Sequence, residues 1–312
     1  MFNQADNVDR KKLTYKKKVL VLLVIILFLS LLYGGTVYFD SQYSAQRKSS
    51  YTWLDQRFLS YADRIEVIGS QGMVVLTRRN NVWVIVEGTA EYPVKQAFIE
   101  DMLTALTRRG NFPVRSNSLA TASRYGISEN SSRIIVRGGA GLPLLDLFIG
   151  YTDLTGGEIF LRKAGQNEIR SGEDRFTLYT ENNRTFWYDL RLFPLIEPVM
   201  VQRIRLSFLI DEDKPLVISR SRNGWIFENS NVPFPGGDYW LRSILDARGE
   251  DFARHTGWDP AESIVLELGD GSYRVIFLGP QAADGSRQAM VSDSSLVFIL
   301  SEWTFRQFYS GL

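Results

Sequence analysis

Alternating apolar and polar residues in the first half of the chain predict three short strands. Arg64–Val67 opens the series, Val74–Arg78 follows after a turn, and Trp83–Val86 comes after Asn80 and Asn81. Alternation with a period of two is typical of a strand with one buried face, and an asparagine pair between two such runs favours a tight hairpin turn. The pattern therefore predicts an antiparallel meander that ends in a tryptophan strand.

The same series returns later in the chain, which predicts a tandem repeat. Trp225 lies 142 residues after Trp83 and again opens the last strand of a three-strand series. The offset of 142 residues also relates three further pairs of positions, namely Pro93 and Pro235, Phe98 and Trp240, and Leu103 and Leu245. Chance matches do not keep one register across strands, turns and a helix, so we predict two homologous domains, 63–196 and 197–312.

Each copy is predicted to contain one amphipathic helix. In the first copy, between Val94 and Arg109, apolar residues recur at the three-and-four spacing of a buried helical face, at Phe98, Ile99, Met102, Leu103 and Leu106. The second helix is expected to be shorter, with Asp238 as its N-cap and with Gly236 and Gly237 weakening its start. Further strands follow each helix. The predicted fold class is therefore α+β, with an antiparallel sheet and a packed helix in each copy.

Two other segments border the first copy. Leu192–Val201 contains Pro194 and Pro198, which interrupt regular structure and predict a short, stiff connector between the copies. Upstream, residues 40–62 are expected to form a juxtamembrane linker, and its aromatic part around Trp53 is expected to pack on the first domain rather than on a membrane.

A long apolar run near the N-terminus predicts a transmembrane helix over Val19–Phe39, because a membrane span needs about 20 mostly apolar residues. Residues 1–18 carry six basic and two acidic side chains, so this tail is expected in the cytoplasm. The prediction is a single-pass protein of the inner (cytoplasmic) membrane with a periplasmic or otherwise extracytoplasmic ectodomain. A cleaved signal peptide is the competing interpretation.

Composition excludes several classes of function. The chain has no cysteine and a single histidine, His255, so disulfides, thiolate catalysis and histidine-rich or cysteine-rich metal sites are not expected. The formal net charge is +1, and the basic tail carries more than this excess, so the remaining chain is nearly neutral. A nearly neutral domain argues against nucleic acid as a partner.

Other motifs favour structural interpretations over chemical ones. The acidic run Asp211–Asp213 is predicted to be a turn between strands rather than a calcium site, and Arg137–Gly141 a hairpin turn rather than a phosphate loop. A glycosidase pair could be drawn from Glu158, Glu267 or Asp270, but no spacing singles them out. We therefore predict no catalytic residues, no cofactor and no metal, although an envelope hydrolase stays open as a minor alternative.

The order of these elements resembles the domain-of-unknown-function family numbered 4340, over nearly all of the chain from Arg64 to Tyr309. The residues that carry the resemblance are Trp83, Pro93, Leu103, Tyr125, Gly126, Ile127, Gly150 and Gly157. The resemblance implies a cell-envelope protein encoded beside the permease and auxiliary subunits of an ABC transport system of the gliding-motility type. It implies a partnership with that transporter.

The leading hypothesis is therefore a non-enzymatic accessory or scaffold subunit of an envelope complex, associated with an ABC-type transport system. The alternative is an extracytoplasmic binding module for an envelope glycan or peptide. Trp83 and Trp225 are predicted to be buried core anchors. The candidate interaction surface consists of Tyr239, Trp240 and Trp258, with at least one of the two tryptophans exposed or in an interface.

Overall fold

The computed structural model describes residues 24–36, 51–70, 72–211, 214–253, 257, 262–310 and 312. The chain divides into two compact units, each of which is described by itself. The first unit comprises Met1–Ser60, Met102–Ser131 and Leu144–Leu178. The second comprises Tyr61–Asp101, Ser132–Pro143 and Tyr179–Leu312.

The strands build two nine-stranded sheets. The strands of the first sheet are β1 (Ala62–Gly69), β2 (Gly72–Arg79), β3 (Val82–Glu87), β4 (Ala90–Pro93), β5 (Val114–Ser116), β6 (Ser132–Gly138), β7 (Pro143–Thr152), β8 (Glu158–Lys163) and β9 (Ile169–Glu173). The strands of the second are β10 (Val201–Asp211), β11 (Lys214–Ser221), β12 (Gly224–Phe227), β13 (Val232–Phe234), β14 (Asp251–Ala253), β15 (Glu262–Leu268), β16 (Tyr273–Gln281), β17 (Arg287–Val291) and β18 (Val297–Leu300).

The two sheets share one topology. The first has the order β4-β3-β2-β1-β6-β7-β8-β9-β5, and the second has the order β13-β12-β11-β10-β15-β16-β17-β18-β14. The predicted meanders are present as antiparallel pairs in both, with Arg78 opposite Trp83 in the first and Arg220 opposite Trp225 in the second. At the β2–β3 turn, Asn80 and Asn81 both adopt positive φ, as a tight hairpin turn requires.

Helices form a small part of the described chain. They are α1 (24–36), α2 (Gln96–Thr107), α3 (Arg184–Trp187), α4 (Gly237–Leu245) and α5 (Glu302–Gln307). Short 3-10 helices cover Gln56–Tyr61, Leu119–Tyr125, Gly139–Gly141, Asp174–Thr180 and Pro198–Met200.

The predicted α+β fold class is wrong, because antiparallel sheet dominates both copies. The reason lies in the short strands. The strands β5, β13 and β14 contain three residues each, too few for alternation to be visible in the sequence, yet they help to extend each sheet to nine strands. The predicted helices do exist, but α2 has 12 residues and α4 only 9.

The predicted transmembrane helix over Val19–Phe39 is also contradicted. Among the residues that the structure describes, no helix is long and apolar enough to cross a membrane. The helix α1 covers 24–36, and residues 19–23 and 37–39 of the predicted span lie outside the described residues.

The second copy packs its helix directly on its tryptophan strand. The indole Nε1 of Trp225 donates a hydrogen bond to Asp238 Oδ1 over 2.8 Å, and Trp240, Leu241 and Ile244 bury the inner face of α4. Asp238 thus lies inside the first turn, and the N-cap is Gly236 rather than the predicted Asp238.

In the first copy, Gln96 joins the start of α2 to the tryptophan strand β3. Gln96 lies 142 residues before Asp238. The side chain of Gln96 accepts from the Trp83 backbone N–H over 2.9 Å and donates to the Trp83 carbonyl over 2.7 Å. Trp83 and Trp225 are both buried, which confirms that prediction. Both copies therefore fix the helix start to the tryptophan strand with a polar side chain.

The expected packing of the 40–62 segment on the first domain holds around Trp53, whereas Phe58 and Tyr61 are exposed. Trp53 and Leu54 are buried, and the Leu54 N–H donates to the Leu106 carbonyl near the end of α2 over 2.9 Å. The Trp53 ring contacts Phe112 and Tyr51 edge-on, at centroid distances of 5.2 and 5.0 Å.

Candidate functional site

A short extended segment near the end of the first copy, Tyr188–Leu192, is hydrogen-bonded on both sides within the second unit. At its start, the Asp189 N–H donates to the Pro93 carbonyl at the end of β4 over 2.9 Å. Further along, the Gly249 N–H donates to the Leu190 carbonyl over 2.9 Å, just before β14 begins. We call Tyr188–Leu192 the bridging segment. It precedes most of the predicted connector Leu192–Val201 and joins elements of both copies.

The bridging segment lies beside two edge strands, since β4 ends one strand order and β14 ends the other. Three aromatic rings meet there. Tyr92 of β4 and Phe252 of β14 lie 5.1 Å apart between ring centroids, and Tyr188 lies 5.4 Å from Tyr92 and 5.0 Å from Phe252. Tyr188 is only 4% exposed, whereas Tyr92 and Phe252 are half-buried and keep part of their faces accessible.

A groove of about 490 Å³ opens beside these rings, and we call it the polar groove. Glu87 lies in its wall, where it pairs with Arg184 and accepts a hydrogen bond from the Tyr188 hydroxyl over 3.3 Å. Burial, together with the Glu87 carboxylate, raises the pKa of the Tyr188 phenol, so this hydroxyl remains a donor at neutral pH. Asn183 caps α3 in the same wall by accepting from the Thr185 N–H over 3.1 Å.

A second groove, of about 550 Å³, shares Tyr188 with the first, and we call it the basic groove. Lys95, Arg191 and Arg248 line it together with one carboxylate, Asp189. The Arg191 guanidinium donates two hydrogen bonds to Asp189, over 2.8 and 2.6 Å. Burial alone would raise the pKa of Asp189, but this pairing, with a smaller contribution from Arg248, holds the pKa below its ordinary value.

Asp189 is paired with Arg191, so the positive charges of Lys95 and Arg248 have no second carboxylate among the residues that line the groove. Lys95 donates to the Phe186 carbonyl, and its ammonium group lies 5.0 Å from the Phe186 ring centroid. Burial lowers the pKa of Lys95, and the positive charge of Arg248 lowers it further, against the opposing effect of Asp189. The two cations therefore repel each other, and Arg248 is exposed.

An apolar cavity of about 290 Å³ adjoins the basic groove, because Asp189 and Arg191 line it as well. Its walls are mostly connector and second-sheet side chains, including Phe193, Leu195 and Leu296. Leu195, one of the lining residues, is 87% exposed. The three concavities thus follow one another along the bridging segment and the connector.

The predicted interaction surface does not coincide with these concavities. Tyr239 is 84% exposed on α4, but Trp240 is 3% exposed. The Trp240 indole is buried because it packs against Phe234 and donates to the Phe308 carbonyl over 3.2 Å. Trp258 lies outside the described residues. Trp240 is therefore removed from the surface, and the prediction for Trp258 stays open.

The other candidate residues have structural partners or lie outside the described residues. Glu158 pairs with Arg115, Glu267 lies 3.8 Å from Arg203, and Asp270 accepts from the Ser272 N–H over 2.9 Å, so the three acids are held in separate contacts. Gly139–Gly141 forms the turn predicted between β6 and β7. His255, Glu212 and Asp213 lie outside the described residues. Within the part of the chain that the structure describes, no three His, Cys, Asp or Glu side chains group as metal ligands.

Sequence reasoning missed the grooves. Phe186–Tyr188 was visible as an aromatic stretch closing the first copy, and it does supply Tyr188. The convergence of Tyr92, Tyr188 and Phe252 depends on how distant segments of the chain meet, which no local pattern shows.

The comparisons with known proteins give no function. No family model matches the chain, and no solved structure matches it. An uncharacterized protein of Treponema pallidum (strain Nichols) is 24% identical over 237 residues, which cover 75% of this chain and 68% of that protein. The resemblance to family 4340 stays a prediction. Function therefore rests on the geometry of the bridging segment and its grooves.

Proposed function

We propose that the chain is a non-enzymatic binding protein that holds an extended segment of a partner protein along the bridging segment. The observation that carries the proposal is the meeting of two edge strands, β4 and β14, beside three contacting aromatic rings. Edge strands present backbone N–H and C=O groups that an added peptide strand can pair with.

The bridging segment already uses part of both edges. It bonds to Pro93 at the end of β4 and to Gly249 just before β14, which leaves Ala90–Tyr92 and Asp251–Ala253 beyond it. A peptide entering the polar groove would continue this pairing, and the accessible faces of Tyr92 and Phe252 would contact its side chains. Backbone pairing supplies affinity in this mode, and the side-chain contacts supply selectivity.

The partner class follows from the resemblance stated above. It is a permease or auxiliary subunit of an ABC-type transport system in the cell envelope, for which this chain is an accessory or scaffold subunit. The peptide mode is preferred over a glycan mode because the described rings contact one another edge-on or tilted, rather than forming one flat exposed platform.

Selection of a random twelve-residue peptide library on the purified full-length chain tests this function. Peptides enriched against the wild-type chain should bind more weakly to a Phe252→Ala variant, whose folding is checked by its melting temperature. Tyr239→Ala, a change at an exposed aromatic outside the grooves, is the matched control and should leave binding unchanged. Absence of any enriched peptide, or binding only to oligosaccharides of a glycan panel, would reject the peptide function.

A further inference from the structure

We infer that the basic groove and the apolar cavity together select a peptide in which an acidic residue adjoins a large apolar residue. The inference rests on the proposed function, because it specifies the peptide that the bridging segment would hold.

The charges of the basic groove supply the first argument. Three cationic side chains, Lys95, Arg191 and Arg248, face one carboxylate, Asp189. Arg191 is committed to Asp189 through two hydrogen bonds, whereas Lys95 and Arg248 have no carboxylate among the groove's lining residues left to them. A carboxylate entering between these two cations would relieve their repulsion and gain charge-assisted hydrogen bonds.

The shared wall supplies the second argument. Asp189 and Arg191 line both the basic groove and the apolar cavity, so the two concavities adjoin at one ion pair. Successive side chains of an extended peptide point to opposite sides. A peptide that runs along this ion pair would therefore place one residue among the cations and the next against the apolar walls.

The cavity supplies the third argument. At about 290 Å³ it is at the small end of ligand sites, which suits one large side chain rather than a long acyl chain. The exposed Leu195 at its rim would lose contact with water when such a side chain enters.

Three synthetic peptides, acetylated and amidated at their ends, test the inference. The probe is Gly-Ser-Glu-Leu-Glu-Ser-Gly. In the second peptide both glutamates become glutamines, and in the third the leucine becomes alanine. Affinity for the full chain, measured by calorimetry at low salt, should be at least about tenfold higher for the probe than for either of the others. The advantage over the glutamine peptide should shrink as salt is added.

Arg248→Gln should remove most of the probe's advantage over the glutamine peptide, and Arg222→Gln should leave it intact. Both arginines are exposed, but Arg222 lies in the β11–β12 turn, away from the grooves. Equal binding of the glutamate and glutamine peptides would overturn the inference while leaving the peptide function standing. Failure of the whole library selection described above would reject both.

Binding to lipid vesicles tests whether the basic groove recognises an anionic lipid headgroup instead of an acidic peptide. Because the basic tail 1–18 itself attracts anionic lipid, the informative comparison is between variants, and Arg248→Gln should leave binding to phosphatidylglycerol vesicles unchanged. Preferential binding to phosphatidylglycerol that Arg248→Gln abolishes would overturn the inference, because the basic groove would then be a site for lipid headgroups.

Discussion

Gly237 at the start of α4 lies against the Trp225 side chain so closely that a β-carbon there would stand 2.5 Å from both Cβ and Cδ1 of the tryptophan. Trp225 cannot retreat easily, because its indole is buried and bonded to Asp238. Gly237 is therefore not a defect in a weak helix. It is the residue that lets the helix approach the tryptophan strand.

Gly237→Ala should destabilise the chain by about 1–3 kcal/mol, the usual cost of overpacking a filled core. The neighbouring Gly236→Ala is the matched control, since a β-carbon there would have its nearest contact at 3.7 Å, with Phe234. It should change stability by less than about 1 kcal/mol. Urea unfolding monitored by tryptophan fluorescence measures both, and equal losses would contradict the packing described here.

Gly150 in β7 provides the same test in the first unit. A β-carbon on Gly150 would overlap the Tyr125 carbonyl oxygen, and backbone atoms cannot turn aside as a flexible side chain can. We expect Gly150→Ala to cost about 3 kcal/mol or more. Gly157→Ala, where the nearest atom would be 3.6 Å away in Thr155, should stay within about 1 kcal/mol of wild type. A neutral Gly150→Ala variant would show that the close approach is absent.

The carboxylate of Glu66 bridges two arginines that face each other across β1 and β6. Its Oε1 accepts from Arg64 Nε over 2.8 Å and from Arg137 Nε over 2.9 Å. Burial would raise the pKa of Glu66, but these two guanidinium groups outweigh it and hold the pKa below its ordinary value of 4.5. The folded state therefore gains stability from Glu66 above about pH 4.5 and loses it as the pH falls below that value.

Glu66→Gln should cost about 1–3 kcal/mol at pH 7. The difference from wild type should shrink as the pH is lowered from 5 to 3, because the wild-type carboxylate then becomes protonated. Denaturant unfolding at several pH values measures this, with the exposed Glu129→Gln as the control. A difference that stays constant over the whole pH range would contradict the assigned role.

Trp240 and Tyr239 are neighbours in α4 with opposite environments, 3% and 84% exposed. Trp240→Ala should cost about 3–5 kcal/mol, and Tyr239→Ala should stay within about 0.5 kcal/mol of wild type. Melting temperatures of the two variants check this directly. Similar melting temperatures for both would place Trp240 outside the core.

The sequence was informative wherever a local pattern sufficed. The constant offset between Trp83 and Trp225 corresponds to matching strands in two sheets of one topology, and the apolar spacing located α2 to within two residues at each end. The sequence was not sufficient where the structure depends on contacts between residues that are distant in the chain. The close fit of Gly237 to Trp225 looks in sequence like a weak helix start, and β14 is too short to show alternation.

The candidate site depends on distant contacts, and the sequence did not reveal it. Asp189 and Leu190 are neighbours in sequence, but their hydrogen-bond partners Pro93 and Gly249 come from different copies. Only the folded chain shows that Asp189 and Arg191 line both an apolar cavity and a groove that contains two further cations, Lys95 and Arg248.

Hydrogen exchange of the full-length chain, with and without an enriched peptide, tests the central claim most directly. Backbone amides that pair with an added strand exchange more slowly. We predict protection in Ala90–Tyr92 and Asp251–Ala253, with no change in the opposite edge strands, Val114–Ser116 and Val232–Phe234. Protection confined to those opposite edges, or bound peptide without protection at either β4 or β14, would contradict the account.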